Sequence, residues 1–182
     1  MSIETEIKYK VNKLPKKYDK KIGIVQTYFD GLKKTSILED IFPDLDFKNI
    51  STFRARKITI LGKNEYILTL KTKSNDGYSR FEYEKEIDLD MYNSLINNNE
   101  LSVVLKNRYI INYNGYKFEF DEYLNTKEYL ITLEVELNTT DINEVEKEKE
   151  KIERIIKDDF KLEYLDVTMD NRYKNSNITK YF

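Results

Sequence analysis

The feature of this sequence that most constrains its fold is a period-two alternation of side chains, repeated in eight segments. Successive side chains of a β-strand point to opposite faces of a sheet, so this alternation predicts strands with two chemically different faces. The segments are residues 3–11, 22–29, 51–60, 65–73, 79–88, 101–113, 115–124 and 129–137. Asn114-Gly115 between two of them is a typical two-residue hairpin turn. The pattern therefore predicts about eight antiparallel strands.

Two other segments have the spacing of helices. Residues 141–158 place apolar side chains at helical intervals, and Asp141 is positioned to cap the N-terminus. Those apolar side chains are Ile142, Val145, Ile152, Ile155 and Ile156. Residues 88–98 predict a second helix. Residues 35–50 fit either a short helix ended by Pro43 or a loop. Many strands with a few helices are typical of the α+β class.

The chain reads as a single domain over residues 1–182. It has 2 Pro and 5 Gly, and no linker rich in Gly, Ser or Pro is visible. No run approaches the roughly 18 apolar residues of a membrane span. Met1-Ser2-Ile3-Glu4 does not resemble a signal peptide. We therefore expect a cytoplasmic protein with no membrane partner.

Composition excludes several classes of function. The sequence has no Cys and no His, which excludes a thiol nucleophile, a Ser-His-Asp triad, a zinc finger and an imidazole base. A metal held by side chains would need oxygen ligands, as hard cations such as Mg²⁺, Mn²⁺ or Ca²⁺ prefer. Lys and Arg total 31 against 33 Asp and Glu, so the net charge is −2. This balance argues against a general nucleic-acid binder.

The charged strand faces carry like charges two residues apart. The carboxylate pairs are Glu4/Glu6, Glu119/Asp121 and Glu134/Glu136, and the cation pairs are Arg54/Arg56, Lys71/Lys73 and Lys106/Arg108. Like charges at the strand spacing of about 6.6 Å repel each other. Divalent cations would offset the carboxylate pairs, and a chain of phosphates would offset the cation pairs. The residues alone leave a second interpretation open, namely a solvated sheet face with cross-strand salt bridges.

Ordered motifs along most of the chain resemble the CYTH superfamily, also called the triphosphate tunnel metalloenzymes. Glu4-x-Glu6-x-Lys8 resembles the ExExK signature of that family. Further similar motifs are Gln26-Thr27-Tyr28-Phe29, Phe53-Arg54-Ala55-Arg56, Leu70-Lys71-Thr72-Lys73, Arg80-Phe81-Glu82-Tyr83-Glu84, Lys106-Asn107-Arg108-Tyr109, Glu119-Phe120-Asp121, Leu133-Glu134-Val135-Glu136-Leu137 and the tail from Asp166 to Asn177.

The resemblance implies a fold and a site. The fold would be a closed eight-stranded antiparallel β-barrel, a tunnel with a charged lumen and a few flanking helices. Glu4 and Glu6 would be catalytic. The metal, Mg²⁺ or Mn²⁺, would be held by Glu4, Glu6, Asp121, Glu134 and Glu136. The substrate would be bound by Lys8, Arg54, Arg56, Lys71, Lys73, Arg80, Lys106 and Arg108.

The implied activity is metal-dependent hydrolysis of inorganic tripolyphosphate to pyrophosphate and orthophosphate. A nucleoside or thiamine triphosphatase and an adenylate cyclase are alternatives within the same family. A polyphosphate or nucleotide sensor without turnover is an alternative from another class, as is an interaction domain with a charged surface. We expect a small-molecule triphosphate as the partner, no nucleic acid, and a monomer or homodimer.

Overall fold

The computed structural model of the protein describes residues 2–73, 78–97 and 100–182. Within these ranges a strand is present in each of the eight predicted segments. The strands are β1 (Ser2–Val11), β2 (Lys20–Phe29), β3 (Ile50–Ile60), β4 (Lys63–Thr72), β5 (Ser79–Ile87), β6 (Glu100–Tyr113), β7 (Tyr116–Tyr123) and β8 (Ile131–Glu136). A further short strand, β9 (Tyr164–Asp166), lies outside the predicted segments.

The strands form a closed ring. Their order is β5-β4-β3-β2-β6-β7-β8-β1, and β1 pairs back with β5. At this closure Ser2 lies opposite Glu82, and Glu4 lies opposite Arg80. The predicted closed antiparallel barrel is therefore confirmed. β9 pairs with the end of β1, from Tyr9 to Val11, and brings the C-terminal part of the chain to the barrel.

The outer face of the barrel carries the main apolar layers. On one side Tyr9, Phe118 and Leu133 pack against Val145 and Ile152 of helix α3 (Ile142–Arg154). On another side the outward side chains of β3 and β4 pack against helices α1 (Thr35–Ile41) and α2 (Leu89–Ile96). Burying a large apolar side chain contributes roughly 1.5–3 kcal/mol. Because these layers lie outside the ring, the inward strand faces are free to be charged.

The helices agree with the predicted ones in position, and the predicted cap at Asp141 is confirmed. The Asp141 carboxylate accepts a hydrogen bond from the Asn143 backbone N–H at 2.9 Å, and Asp88 caps α2 in the same way through Met91. A π-helical turn, Ile155–Asp159, continues α3 through the predicted end. The side chain of Ile142, and Asn98 at the predicted end of the second helix, lie outside the described residues.

The ambiguous segment at residues 35–50 contains a short helix, which is the first of its two interpretations. Helix α1 ends at Ile41, and Phe42-Pro43 follows. Its buried side chains, Leu38 and Ile41, belong to the apolar layer outside β3 and β4. No helix in the described ranges combines the length and the apolar character needed to cross a lipid bilayer.

Two tight turns join neighbouring strands of the ring. Asn114 and Gly115, between β6 and β7, have φ angles of 49° and 81°. Leu61 and Gly62, between β3 and β4, have φ angles of 49° and 79°. Positive φ at both central residues is what a two-residue hairpin turn of type I′ requires. The Asn114-Gly115 prediction is therefore confirmed, whereas the Leu-Gly turn was not anticipated.

Replacing Gly31 with alanine should destabilise the fold. Gly31 follows β2, and a Cβ atom there would overlap the ring of Phe53 in the outer apolar layer. Overpacking of this kind costs roughly 1–3 kcal/mol, so Gly31→Ala should unfold at lower urea concentration. Gly23→Ala is the matched control, because its Cβ would meet Thr59 at an ordinary 3.9 Å. Equal stability of the two variants would contradict this packing.

Candidate functional site

The inward faces of the strands enclose a polar cavity of about 870 Å³. Its walls come from β1–β8, together with a stretch that follows β9, which we name the C-terminal segment (Val167–Ser176). All but two of the predicted site residues line this cavity. Those that do are Glu4, Glu6, Lys8, Arg54, Arg56, Lys71, Lys73, Arg80, Arg108, Glu134 and Glu136. The structure thus gathers into one volume side chains that lie up to 132 positions apart in the sequence, from Glu4 to Glu136.

The two other predicted residues, Lys106 and Asp121, lie behind the cavity lining. Lys106 is 1% exposed and Asp121 is fully buried. The Lys106 ammonium donates a hydrogen bond to the Asp121 carboxylate at 2.5 Å. Asp121 also accepts two hydrogen bonds from the Arg108 guanidinium, at 2.6 and 2.7 Å. In this structure the pair therefore holds Arg108 in place, while direct contact with a metal or substrate remains a prediction.

Arg54 and Arg56 have fewer partners than their guanidinium groups can use. Arg54 donates to Glu82 at 3.3 Å, and Arg56 is paired with Glu84. The Nε–H groups of both arginines are buried and find no acceptor among the described residues. Burial, followed by repulsion from Arg54, lowers the pKa of Arg56 to about 10. The cavity wall around Arg54 and Arg56 therefore has fewer acidic acceptors than its guanidinium groups could bind.

Carboxylates dominate the wall formed by β1 and β8. Glu6 and Glu136 lie directly opposite each other on these two strands. Burial, and then repulsion by Glu4 and other carboxylates, raises the pKa of Glu136. Glu4 is paired with Lys71, and Glu6 with Arg80. The like-charge pairs of the sequence are thus partly balanced by cross-strand ion pairs, as the salt-bridge interpretation expected.

Glu4 and Glu82 meet at the Lys71 ammonium and have different pKa values. Burial opposes ionisation of Glu4, but Lys71 and a hydrogen bond from Glu82 lower its pKa to about 2. Burial, with repulsion from Glu4, raises the pKa of Glu82 to about 8. At neutral pH Glu82 therefore keeps its proton and can donate a hydrogen bond to the ionised Glu4 carboxylate.

Glu134 is saturated by hydrogen bonds. One carboxylate oxygen lies 2.9 Å from the Lys8 ammonium and accepts from the Asn175 amide at 3.0 Å. The other oxygen accepts from Arg108 at 2.7 Å. Burial opposes its ionisation, yet Lys8 and the neighbouring cations hold its pKa well below the usual range. Glu134 is therefore an ionised anchor that joins three cavity residues.

Oxygen ligands for a hard cation are present in the cavity, but they are not gathered around one point. Among the described residues no three acidic side chains form a group that could hold a metal ion. Glu4, Glu6 and Glu136 supply oxygen ligands of the right kind on adjoining strands, and Glu136 faces other carboxylates without a strong cationic partner among the described ion pairs. Their chemistry fits Mg²⁺ or Mn²⁺, and binding would exchange existing ion pairs for metal contacts.

Sequence reasoning missed part of the lining. The additional residues include Tyr28, Ser51, Thr52, Lys117 and several members of the C-terminal segment. Asn175 of this segment accepts a hydrogen bond from Tyr123 at 2.6 Å and donates to Glu134. The tail motif that includes Asn175 was noticed only as a resemblance. Its role becomes visible once β9 places it beside β1.

Comparison with known proteins agrees with this geometry. The family model named CYTH domain matches residues 2–169, which is nearly the whole chain. The protein therefore belongs to the CYTH domain family.

Individual relatives share 38% or fewer of their residues with this chain over the matched regions, as three examples show. An inorganic triphosphatase from Acetivibrio thermocellus is 38% identical over 114 residues, which are 62% of this chain and 64% of that protein. The match thus spans less than two thirds of the relative. The PH1819 protein from Pyrococcus horikoshii OT3 has a similar structure, with a TM-score of 0.62, 23% identity and coverage of 89% of this chain and 93% of that chain. The inorganic triphosphatase NE1496 gives a TM-score of 0.55 at 24% identity, covering 98% and 95%. These two structural likenesses establish the shared fold.

The affinity of the cavity for a polyanion should fall as the pH rises through about 8. Glu82 gains a negative charge in this range, and burial lowers the pKa of Lys106 to about 8 as well, so that lysine loses its positive charge. In Glu82→Gln the first of these changes is removed, and the affinity should fall less between pH 7 and pH 9. Calorimetric titration with tripolyphosphate measures both proteins, and the ionisation of the ligand is common to them. Identical pH profiles would contradict the assignment to Glu82.

Proposed function

We propose that the protein is a metal-dependent triphosphatase that hydrolyses inorganic tripolyphosphate to pyrophosphate and orthophosphate. The observation that carries this proposal is the pair of Arg54 and Arg56, each with a buried Nε–H that has no acceptor among the described residues, in a cavity whose other wall is acidic. A chain of phosphates satisfies the first wall and a divalent cation the second. The similarity to an inorganic triphosphatase supports the choice of substrate.

The cationic wall binds the phosphates. Guanidinium groups donate parallel hydrogen bonds to phosphoryl oxygens, and such charge-assisted contacts are about twice as strong as neutral ones. Arg54, Arg56 and Arg108 lie along the cavity on strands β3 and β6, with Lys8 and Lys71 beside them. Their present ion pairs with Glu82, Glu84 and Glu134 hold them in position before the substrate arrives. Phosphoryl transfer depends mainly on such positioning and on electrostatic stabilisation.

The acidic wall would hold the metal through Glu4, Glu6 and Glu136. When bound, Mg²⁺ or Mn²⁺ supplies positive charge that neutralises phosphoryl oxygens in the transition state. Asp121 and Glu134, which the resemblance also implies as ligands, are already bonded to Lys106, Lys8 and Arg108. In our proposal they position cations, and the metal contacts fall to the other three carboxylates.

Glu4 and Glu6 orient the attacking water. The water oxygen attacks the terminal phosphorus, and the bridging P–O bond breaks as pyrophosphate leaves. Because the pKa of Glu4 is about 2, its carboxylate is ionised but weakly basic. It therefore accepts a hydrogen bond from the water and aligns it, and the proton passes to the phosphate products. Weak base assistance suffices, because the transition state of phosphoryl transfer needs little of it.

A phosphate-release panel tests the proposal. Tripolyphosphate, pyrophosphate, ATP, GTP and thiamine triphosphate would each be incubated with the protein and either Mg²⁺ or Mn²⁺. We expect orthophosphate and pyrophosphate from tripolyphosphate in the presence of metal. Preferred release from a nucleotide or from thiamine triphosphate would favour those triphosphatases, and a cyclic nucleotide would favour a cyclase. Binding without any turnover would indicate a sensor.

Glu4→Gln should lose turnover while the protein remains folded. The substitution keeps the shape of the side chain but removes the charge that aligns water and binds metal, so kcat should fall about 10²-fold or more. Glu86→Gln is the matched control, because Glu86 lies on a lumen strand outside the cavity lining. Circular dichroism checks the fold of both variants. Normal turnover in Glu4→Gln would remove the role assigned to this residue.

Arg56→Ala should weaken substrate binding more than it slows turnover. It removes a buried guanidinium whose Nε–H has no acceptor in the described residues. Losing a charge-assisted contact of about 1.5–3 kcal/mol should raise KM roughly 10- to 100-fold. Lys57→Ala on the same strand removes a neighbouring positive charge whose side chain faces outward, and it should leave KM unchanged. Equal effects of the two substitutions would show that only overall charge matters.

A further inference from the structure

The C-terminal segment is fixed to the barrel on both sides of Asn175. Before it, strand β9 pairs with β1, and the Val167 backbone N–H donates a hydrogen bond to the Lys8 carbonyl at 2.9 Å. Around it, Tyr173 and Ile178 are buried against side chains that β2, β6 and β7 provide. Because both flanks are held, the partly buried Asn175 has a defined place, and it lines the cavity.

The Asn175 side chain closes a circuit of hydrogen bonds with three barrel residues. Its amide N–H donates to one Glu134 oxygen at 3.0 Å, and its carbonyl accepts from the Tyr123 hydroxyl at 2.6 Å. The Lys8 ammonium lies 2.9 Å from the same Glu134 oxygen and donates to the Tyr123 oxygen at 3.4 Å. Each group therefore bonds to two others of the circuit, and such networks restrict the orientations of all their members.

The amide of Asn175 matches both of its neighbours. The Tyr123 hydroxyl donates, and the ionised Glu134 carboxylate can only accept, so the group between them must accept on one side and donate on the other. An asparagine amide does this without adding a charge. Glu134 thus gains a further hydrogen bond, while its negative charge remains directed at Lys8 and at Arg108, which donates to its other oxygen at 2.7 Å.

Glu134 is the link between two cations that lie on separate parts of the ring. Lys8 is on β1 and Arg108 is on β6, and strands β7 and β8 lie between them. The single Glu134 carboxylate on β8 contacts both. The relative placement of the two cations therefore depends on how this carboxylate is turned, and Asn175 is bonded to it from outside the ring of strands.

We propose that Asn175 is a positioning residue for phosphate binding, which acts through Glu134 on Lys8 and Arg108. This inference rests on the proposed function, in which those two cations bind the phosphates. It adds a part for the C-terminal segment: the segment holds the orientation of the carboxylate around which the two cations are arranged. Without the amide, Glu134 can turn between its two cations, and their preset spacing for the phosphate chain is lost.

Two matched substitutions in the C-terminal part of the chain test this. Asn175→Ala should raise KM for tripolyphosphate about tenfold and change kcat by less than about threefold, because it loosens groups that bind the substrate. Asn177→Ala is the control: its side chain donates to the Asn171 backbone carbonyl at 2.8 Å and lies outside the cavity lining. It should keep the native KM.

Two results of this comparison would overturn the proposal. One is a native KM in Asn175→Ala. The other is an equal rise in both variants, which would assign the effect to general anchoring of the segment. Circular dichroism checks that both are folded, as we expect, because the ring of strands is closed without the segment.

A double-mutant cycle tests the route through Glu134. In a Glu134→Gln background the charge that orders the two cations is gone, so adding Asn175→Ala should raise KM by less than about threefold. A full tenfold rise there would refute the route. If Glu134→Gln does not fold, the comparison of the two asparagine variants decides.

Failure of the proposed function gives a different result from failure of this inference. A native protein that binds tripolyphosphate without hydrolysing it would refute the proposed activity, and the same variants would then be compared by Kd in calorimetric titration. A native protein that does not bind tripolyphosphate at all would refute the proposed function and this inference with it. An active native protein with an equally active Asn175→Ala variant would refute the inference alone.

Discussion

Compensation of charge inside a closed ring of strands is the constraint on which the rest of this structure depends. An isolated charge moved from water into a protein interior costs several kcal/mol, so the lumen side chains are bonded to partners of opposite sign. Lys106 with Asp121 and Lys8 with Glu134 are examples. Compensation is incomplete at Arg54 and Arg56 on one wall and at Glu136 on the other, and these are the positions that our proposal assigns to a phosphate chain and to its metal ion.

A charged interior also determines what covers the exterior. Most of the apolar side chains of the strands point outward here, and helices α1, α2 and α3 bury many of them. The strands therefore alternate between inward side chains, many of which line the cavity, and residues of an outer core. A shift of one residue in any register would exchange the two sets, so the site and the stability of the fold are specified by the same alternation.

This coupling explains how much of the molecule the sequence could predict. Alternation located all eight strands of the ring, and helical spacing with Asp141 located α3. Alternation could not distinguish an open charged sheet from a closed barrel, because closure is the pairing of β1 with β5, between residues nearly 80 positions apart. The family resemblance supplied that step. The positions of Lys106 and Asp121 behind the lining depend on how deeply each inward side chain is packed, which strand parity does not encode. The inward isoleucines Ile58 and Ile60 did have a signal in the sequence, since they continue the alternation of Arg54 and Arg56, but the search for charged pairs did not include them.

The strands both line the cavity and close the ring, whereas the C-terminal segment lines the cavity without taking part in the closure. Residues 170–176 lie beyond the stretch matched by the family model, and yet Asn175 is bonded to Glu134 within the cavity. The segment contacts the barrel through a small apolar group that includes Val167 and Tyr173, while the ring itself is closed without it. A change in this tail can therefore alter the cavity lining at Asn175 while the strand pairing that closes the ring stays the same.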